Sequence, residues 1–321
     1  MSRAKLQAAG ICDDREAMTE ISRCVACGGG TVAPDGHCWD CGTAQPAFRS
    51  HVELTTDAGA AGVSDRGLRR AVNADAMALS RAGAWTVGVV CDGVSMSPRS
   101  ERAAQVAADA GAATTIALLR AGALPETALA EGAIRAGRAV TALAGSLQGS
   151  GPGRPRDAPA QDAPACTYVA GVAARDGVWA CWVGDSRAYW LPGEGVATAM
   201  TEDDTGEHEA LSAWLGADAG RPEPRIRSYR PSTPGLLLLC TDGLWRHFPD
   251  ASALRDQARA GALRGRAPAG SGRAPGDDLP GRAGSGAPGA ARALVDHALA
   301  AGGQDNITAL LLPAGPRSRP G

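Results

Sequence analysis

Thr86-Val-Gly-Val-Val-Cys-Asp92-Gly93 decides the fold class. An apolar run of this length that stops at an Asp-Gly pair reads as a strand running into a turn. The pattern returns as Leu236–Thr241 leading into Asp242-Gly243, and reversed as Gln304-Asp305-Asn306 leading into the run Ile307–Leu312. A strand that ends and a strand that begins can lie at the same end of an antiparallel sheet, so the three carboxylates can converge. Asp185, in Val183-Gly-Asp-Ser-Arg187, is a fourth aspartate placed directly after a strand. One Asp-Gly is ordinary turn chemistry, but four aspartates with similar strand placement point to a site. Clustered carboxylates repel unless something positive sits among them, and hard oxygen donors suit Mg²⁺ or Mn²⁺.

Working outward, strands are expected at His51–Thr55, Trp85–Cys91, Tyr168–Ala174, Val178–Val183, Ala188–Leu191, Gly235–Cys240 and Ile307–Leu312. Arg175-Asp176-Gly177 supplies a hairpin turn between two of them. Helices are expected at Glu101–Arg120, Pro125–Ala144, Glu207–Leu215 and Ala290–Ala301, the last stopped by Gly302-Gly303. Strands in runs and helices in pairs predict an α+β fold, antiparallel sheet covered by helices. Residues 145–165 and 261–289, rich in Gly and Pro and poor in large apolar side chains, read as disordered surface loops inside one domain, and the tail from Pro313 is expected to fray. The expected organisation is a mobile leader (1–23), a cysteine-rich module (24–47), the main domain (48–313) and a tail (314–321).

Composition narrows the function classes. With 32 basic against 34 acidic side chains the net charge is -2, which gives no general attraction to nucleic acid or anionic lipid. The apolar runs are too short to cross a bilayer and residues 1–23 hold no secretory apolar core, so no membrane association and a cytoplasmic location are expected. Nine cysteines, an odd number in such a setting, argue against a disulfide framework.

Taken in order, the motifs resemble those of the metal-dependent protein phosphatases, the PPM or type 2C serine/threonine family of bacterial type. Ser64-Asp-Arg-Gly-Leu-Arg-Arg-Ala-Val-Asn-Ala-Asp75 resembles the opening motif, and Val89-Val-Cys-Asp92-Gly93 the metal-binding Asp-Gly. Gly184-Asp-Ser-Arg187 resembles the hairpin motif, Cys240-Thr-Asp-Gly-Leu-Trp245 the second Asp-Gly and Gly303-Gln-Asp-Asn-Ile-Thr308 the closing Asp-Asn. The resemblance implies a four-layer α-β-β-α sandwich and hydrolysis of phosphoserine and phosphothreonine by water activated between two Mn²⁺ or Mg²⁺ ions. It implies that Asp92 bridges the ions, that the Gly93 carbonyl, Asp242 and Asp305 complete the ligand set, and that Asp185 is an additional ligand or only a turn residue. It also implies that Arg70, or Arg69 in a shifted register, holds substrate phosphate and that Asp75 orients water. Phosphorylated proteins, targets of a serine/threonine kinase, are the implied partners.

The chain departs from that pattern at three places. Ala74 stands where many members carry Glu, Val94-Ser-Met follows Asp92-Gly93 without a His, and Arg246 replaces a further Asp. A catalytically weak relative that regulates or binds phosphoproteins is therefore the alternative.

Cys24-x2-Cys27-x10-Cys38-x2-Cys41, with Gly28 and Gly42 after each pair, is the spacing of a zinc ribbon with one structural Zn²⁺. His37 reads as a surface residue beside it, and Trp39 as a packing residue or a contact for a protein partner. Zinc ribbons can bind nucleic acid, but the only basic side chain between residues 24 and 50 is Arg49, so that use is not expected.

Overall fold

The structure is a computed structural model that describes residues 24–29, 36–43, 45, 49–95, 97–147, 163–207, 210–264 and 286–316. The chain divides into two compact units, Met1–Phe48 and Arg49–Gly321.

In the larger unit the strands are β1 (His51–Thr55), β2 (Ala61–Asp65), β3 (Ala76–Ala82), β4 (Trp85–Cys91), β5 (Ala165–Cys166), β6 (Tyr168–Ala173), β7 (Val178–Val183), β8 (Arg187–Pro192), β9 (Thr198–Ala199), β10 (Leu215–Gly216), β11 (Arg225–Tyr229), β12 (Gly235–Cys240) and β13 (Ile307–Ala314). The helices are α1 (Ser100–Arg120), α2 (Pro125–Leu147), α3 (Asp242–Trp245), α4 (Ala251–Arg264) and α5 (Ala287–Ala300). One antiparallel sheet runs β1-β2-β13-β12-β8-β9, a second β11-β7-β6-β4-β3, and β5 pairs with β10.

Three apolar layers follow from alternation along the strands. Val87, Val89 and Cys91 of β4 face α1 and α2, whose alanine-rich faces allow close packing. Val90 of β4 and Val169 of β6 meet Leu237, Leu239, Leu310 and Leu312 between the two sheets. Leu238, Leu311 and Ile307 pack under α4 and α5. The sheets approach closely because Gly88 and Gly171 face leucines across the gap. A Cβ at Gly88 would lie 2.8 Å from Leu310 Cδ2, and one at Gly171 2.7 Å from Leu237 Cδ2. The order helices, sheet, sheet, helices is the expected α+β sandwich. It brings the end of β4, the end of β12 and the start of β13 to one edge.

Several sequence expectations change. The described residues of Glu207–Leu215, 207 and 210–215, form no α-helix: Gly206 N–H donates to Ala210 O at 2.8 Å and Ser212 N–H to Asp204 O at 2.8 Å. Leu215-Gly216 is then free to pair with Ala165-Cys166. β13 continues through Pro313 to Ala314, which pairs with Gly235, so the fraying expected there begins later at the earliest. α4 extends to Arg264 and α5 begins at Ala287, trimming the second loop; the remainder, 265–285, lies outside the described residues, as do 148–162 of the first loop, the leader 1–23 and residues 317–321. The Arg175–Gly177 hairpin joins β6 to β7, closed by Ala174 N–H to Gly177 O at 3.0 Å.

In the smaller unit, His37 is 8% exposed rather than on the surface. Its neighbours are both pinned, Gly36 O accepting from Gln45 N–H at 3.0 Å and Cys38 N–H donating to Thr43 O at 2.9 Å, which draws the ring inward.

Candidate active site

Asp92 is the hub of the sandwich edge. Burial raises its pKa well above the carboxylate range, followed by the charges of Asp75, Asp242, Asp305 and Asp185. The structure thus brings five of the sequence-selected aspartates into one field. Asp92 N–H donates to Thr167 Oγ1 at 3.0 Å, Thr167 N–H donates to Asp92 O at 2.8 Å, and Thr167 Oγ1 lies 2.7 Å from Ser186 Oγ. That chain ties the end of β4 to the turn carrying Asp185. Gly93 N–H donates to Ala74 O at 3.2 Å, so the backbone of position 74 borders the site.

Asp75 is 3% exposed. Its Oδ2 accepts from Thr241 Oγ1 at 2.8 Å and Thr308 Oγ1 at 2.7 Å. The line continues through Ser64 Oγ, 2.8 Å from Thr308 Oγ1, to Asn73 Nδ2, which donates to Ser64 Oγ at 2.9 Å. Asp75 Oδ1 is buried with no hydrogen-bond partner. Burial pushes Asp75 up to about 7, against the two threonine hydroxyls that lower it.

Asp242 opens α3, and Arg246 Nε donates to its Oδ2 at 3.0 Å. Asp305 precedes β13 and receives Arg70 fork to fork, Nε to Oδ1 at 2.7 Å and Nη2 to Oδ2 at 2.5 Å. Arg70 also feels Asp92 and Asp242, which, with the Asp305 hydrogen bonds as the main cause, raise its pKa. Arg70, not Arg69, is the arginine engaged with the carboxylates. Asp185 occupies the turn between β7 and β8; burial first, then Asp242 and Asp203, push it up to about 6.

Sequence reasoning passed over the residues that hold this arrangement. Asn306 Oδ1 accepts from Ala74 N–H at 2.8 Å while its Nδ2 donates to Arg66 O at 2.8 Å and Val72 O at 3.0 Å, pinning the 66–75 loop beside Asp305. Thr241 and Thr308 do the same for Asp75. The available signal was position: each lies next to, or within three residues of, a selected aspartate.

The cysteine module forms a second cluster. Sγ atoms of Cys24, Cys27, Cys38 and Cys41 all lie within 4.8 Å of one another, the only such group of three or more candidate ligands among the described residues. Cys24–Cys41 and Cys27–Cys38 are each 3.6 Å apart, close to the edge of about 3.8 Å expected for a tetrahedron with ~2.3 Å metal–sulfur bonds. Ala26 N–H points at Cys24 Sγ and Gly29 N–H at Cys27 Sγ, both at 3.4 Å. Gly28 and Gly42, each at φ 73°, make the tight turns. Backbone N–H groups of Cys27 and Ala26 lower Cys24 to about 6. Gln45, not selected from sequence, is buried beneath the cluster and donates to Cys24 Sγ at 3.4 Å.

Stp1 from Staphylococcus aureus, a serine/threonine phosphatase, matches with TM-score 0.57 at 20% identity over 82% of this chain and 97% of that one. The catalytic domain of the serine threonine protein phosphatase PstP, in complex with two manganese ions, gives 0.54 at 21% identity over 82% and 99%. PppA, a regulatory component of T6SS in Pseudomonas aeruginosa, gives 0.54 at 23% over 81% and 96%. At these identities the likeness is one of fold. No curated protein matches the sequence. The sequence profile described as Protein phosphatase 2C matches residues 67–269. That span exceeds half of the chain and contains Arg70, Asp75, Asp92, Asp185 and Asp242: the chain belongs to the protein phosphatase 2C family and is a phosphatase by that membership.

Proposed function

We propose that the chain hydrolyses phosphoserine and phosphothreonine on proteins at the Asp92 site, using two Mn²⁺ or Mg²⁺ ions. The observation that carries the reading is the gathering of Asp75, Asp185, Asp242 and Asp305 around Asp92. The five carboxylates act on one another through space and Asp75 Oδ1 is buried and unpartnered; these are hard donors that suit a divalent cation, which would draw them closer than they stand among the described residues. Asp92, the Gly93 carbonyl, Asp242 and Asp305 would hold the cations, with Asp185 at the margin. Bound there, divalent cations would supply an activated water nucleophile and neutralise charge on the phosphoryl oxygens.

The remaining chemistry belongs to the protein. Arg70 carries a planar fork that fits two phosphate oxygens as it fits the two oxygens of Asp305. Asp305 engaged by a cation leaves that fork to the substrate. Asp75, anchored through Oδ2, keeps Oδ1 as an acceptor able to orient water. Without a His after Asp92-Gly93, solvent protonates the leaving alkoxide. The departures at Ala74 and Arg246 favour a second reading, a weakly active phosphoprotein-binding relative, because Arg246 already neutralises Asp242. Release of inorganic phosphate from a phosphothreonine peptide, with and without Mn²⁺, separates the two.

The cysteine cluster is assigned one structural Zn²⁺, and its module a protein-docking role rather than a nucleic-acid one. Among the described residues no helix is long and apolar enough to cross a membrane. Phosphoproteins in the cytoplasm, products of a serine/threonine kinase, are the proposed substrates.

A further inference from the structure

Trp245 joins two parts of the site that are 60 residues apart in the chain. Its indole Nε1–H donates to the backbone oxygen of Asp185 at 3.0 Å. Its ring carries the guanidinium of Arg187, with Cζ 3.4 Å from the ring centroid. Arg187 cannot drift, because Nε and Nη2 bind the Asp203 carboxylate at 2.9 and 2.7 Å and Nη1 donates to Tyr189 Oη at 3.1 Å. Trp245 lies three residues after Asp242 and Arg187 two residues after Asp185, so the stack interlocks the α3 segment with the β7–β8 turn. The tie works against the repulsion between the Asp185 and Asp242 carboxylates, which Arg246 relieves from the Asp242 side.

We infer that Trp245 is a positioning residue, which through its hydrogen bond to Asp185 and its stack on Arg187 holds Asp185 facing Asp242 so that both carboxylates serve one cation-binding field. The inference rests on reading the Asp92 site as a cation site. A residue acting through another in this way is expected to change cation affinity about tenfold or more when its bond is removed.

The test is equilibrium binding of Mn²⁺ to the full chain, followed by calorimetry and by electron paramagnetic resonance of free Mn²⁺. Trp245→Phe keeps a ring beneath Arg187 and deletes the N–H; about tenfold weaker Mn²⁺ binding is expected. Asp185→Asn alone should weaken binding as well, and Trp245→Phe should add nothing in the Asp185→Asn background. Wild-type affinity in Trp245→Phe, or an equal loss in both backgrounds, would overturn the inference, as would an Asp185→Asn variant that binds normally. Arg187→Lys, which leaves the indole bond but removes the planar stack, serves if Trp245→Phe does not fold, and it too should act only where Asp185 is present. Wild-type protein that binds no Mn²⁺ would instead overturn the cation reading itself, and this inference with it.

Discussion

Arg70 and Asp305, 235 residues apart in the chain, meet fork to fork at the edge of the sandwich, with both carboxylate oxygens occupied by one guanidinium. The two groups proposed to serve substrate and cation are therefore engaged with each other, and cation binding at Asp305 competes with Arg70. Their side chains are 40% and 33% exposed, so the pair adds only about 0–1 kcal/mol to stability. Arg70→Ala should leave the melting temperature nearly unchanged, lower kcat/KM for a phosphopeptide roughly a hundredfold, and tighten Mn²⁺ binding by removing the competitor. Steady-state kinetics with a melting curve checks the first two, and titration the third.

Removal of divalent ions should make the stability of the chain depend on pH in an unusual direction. Asp75 is pushed up to about 7 and Asp185 to about 6 from the ordinary 3.8, and Asp92 is raised well above it, burial being the main cause of each. From about pH 4 up to about 6 for Asp185 and about 7 for Asp75 the native state then holds a proton that the unfolded chain has released, so each group costs up to about 1.4 kcal/mol of stability per pH unit as pH rises through its own window. Thermal melts in chelator should show a higher melting temperature at pH 5 than at pH 8. Mn²⁺ should abolish the difference, and Asp92→Asn should flatten it.

Gly243 is fixed by its neighbours. A Cβ there would collide with the backbone oxygen of Asn306, the residue that pins the 66–75 loop. Gly243→Ala should cost about 1–3 kcal/mol and reduce activity more than a surface substitution of equal stability cost. Denaturant unfolding alongside phosphatase assay separates the two effects.

One zinc per chain is expected by metal analysis of protein purified without added metal. Cys24→Ser should remove it and expose residues 24–45 to protease. The melting of the unit Arg49–Gly321 should change little, because the two units are separately compact.

Legibility differed with the physics of each element. β4, β12 and β13 are largely apolar runs, and the Asp-Gly pairs after β4 and β12 and the Asp-Asn before β13 marked the site from sequence alone. β2, with Ala61-Gly-Val-Ser-Asp65, and β3, with Ala76-Met-Ala-Leu-Ser-Arg-Ala82, have weak strand preference and are strands because partners on both sides of β2, and β4 beside β3, pair with them. The helical reading of Glu207–Leu215 failed because local propensity gave way to the bonds of Asp204 with Ser212 and of β10 with β5. α4 escaped notice since its composition merges into the Gly- and Ala-rich segment after it. Asp92, Asp242 and Asp305 could be chosen one by one. The Arg70–Asp305 pair and the line from Asp75 through Thr308 to Ser64 span over 230 residues and exist only once the sheets have formed.

The most direct test of the central claim is phosphate release from a phosphothreonine peptide by the purified chain, measured with Mn²⁺, with Mg²⁺ and with chelator, beside the Asp242→Asn variant. Turnover that requires the divalent ion and disappears in the variant is the predicted result. Folded wild-type protein that releases no more phosphate than Asp242→Asn would contradict it.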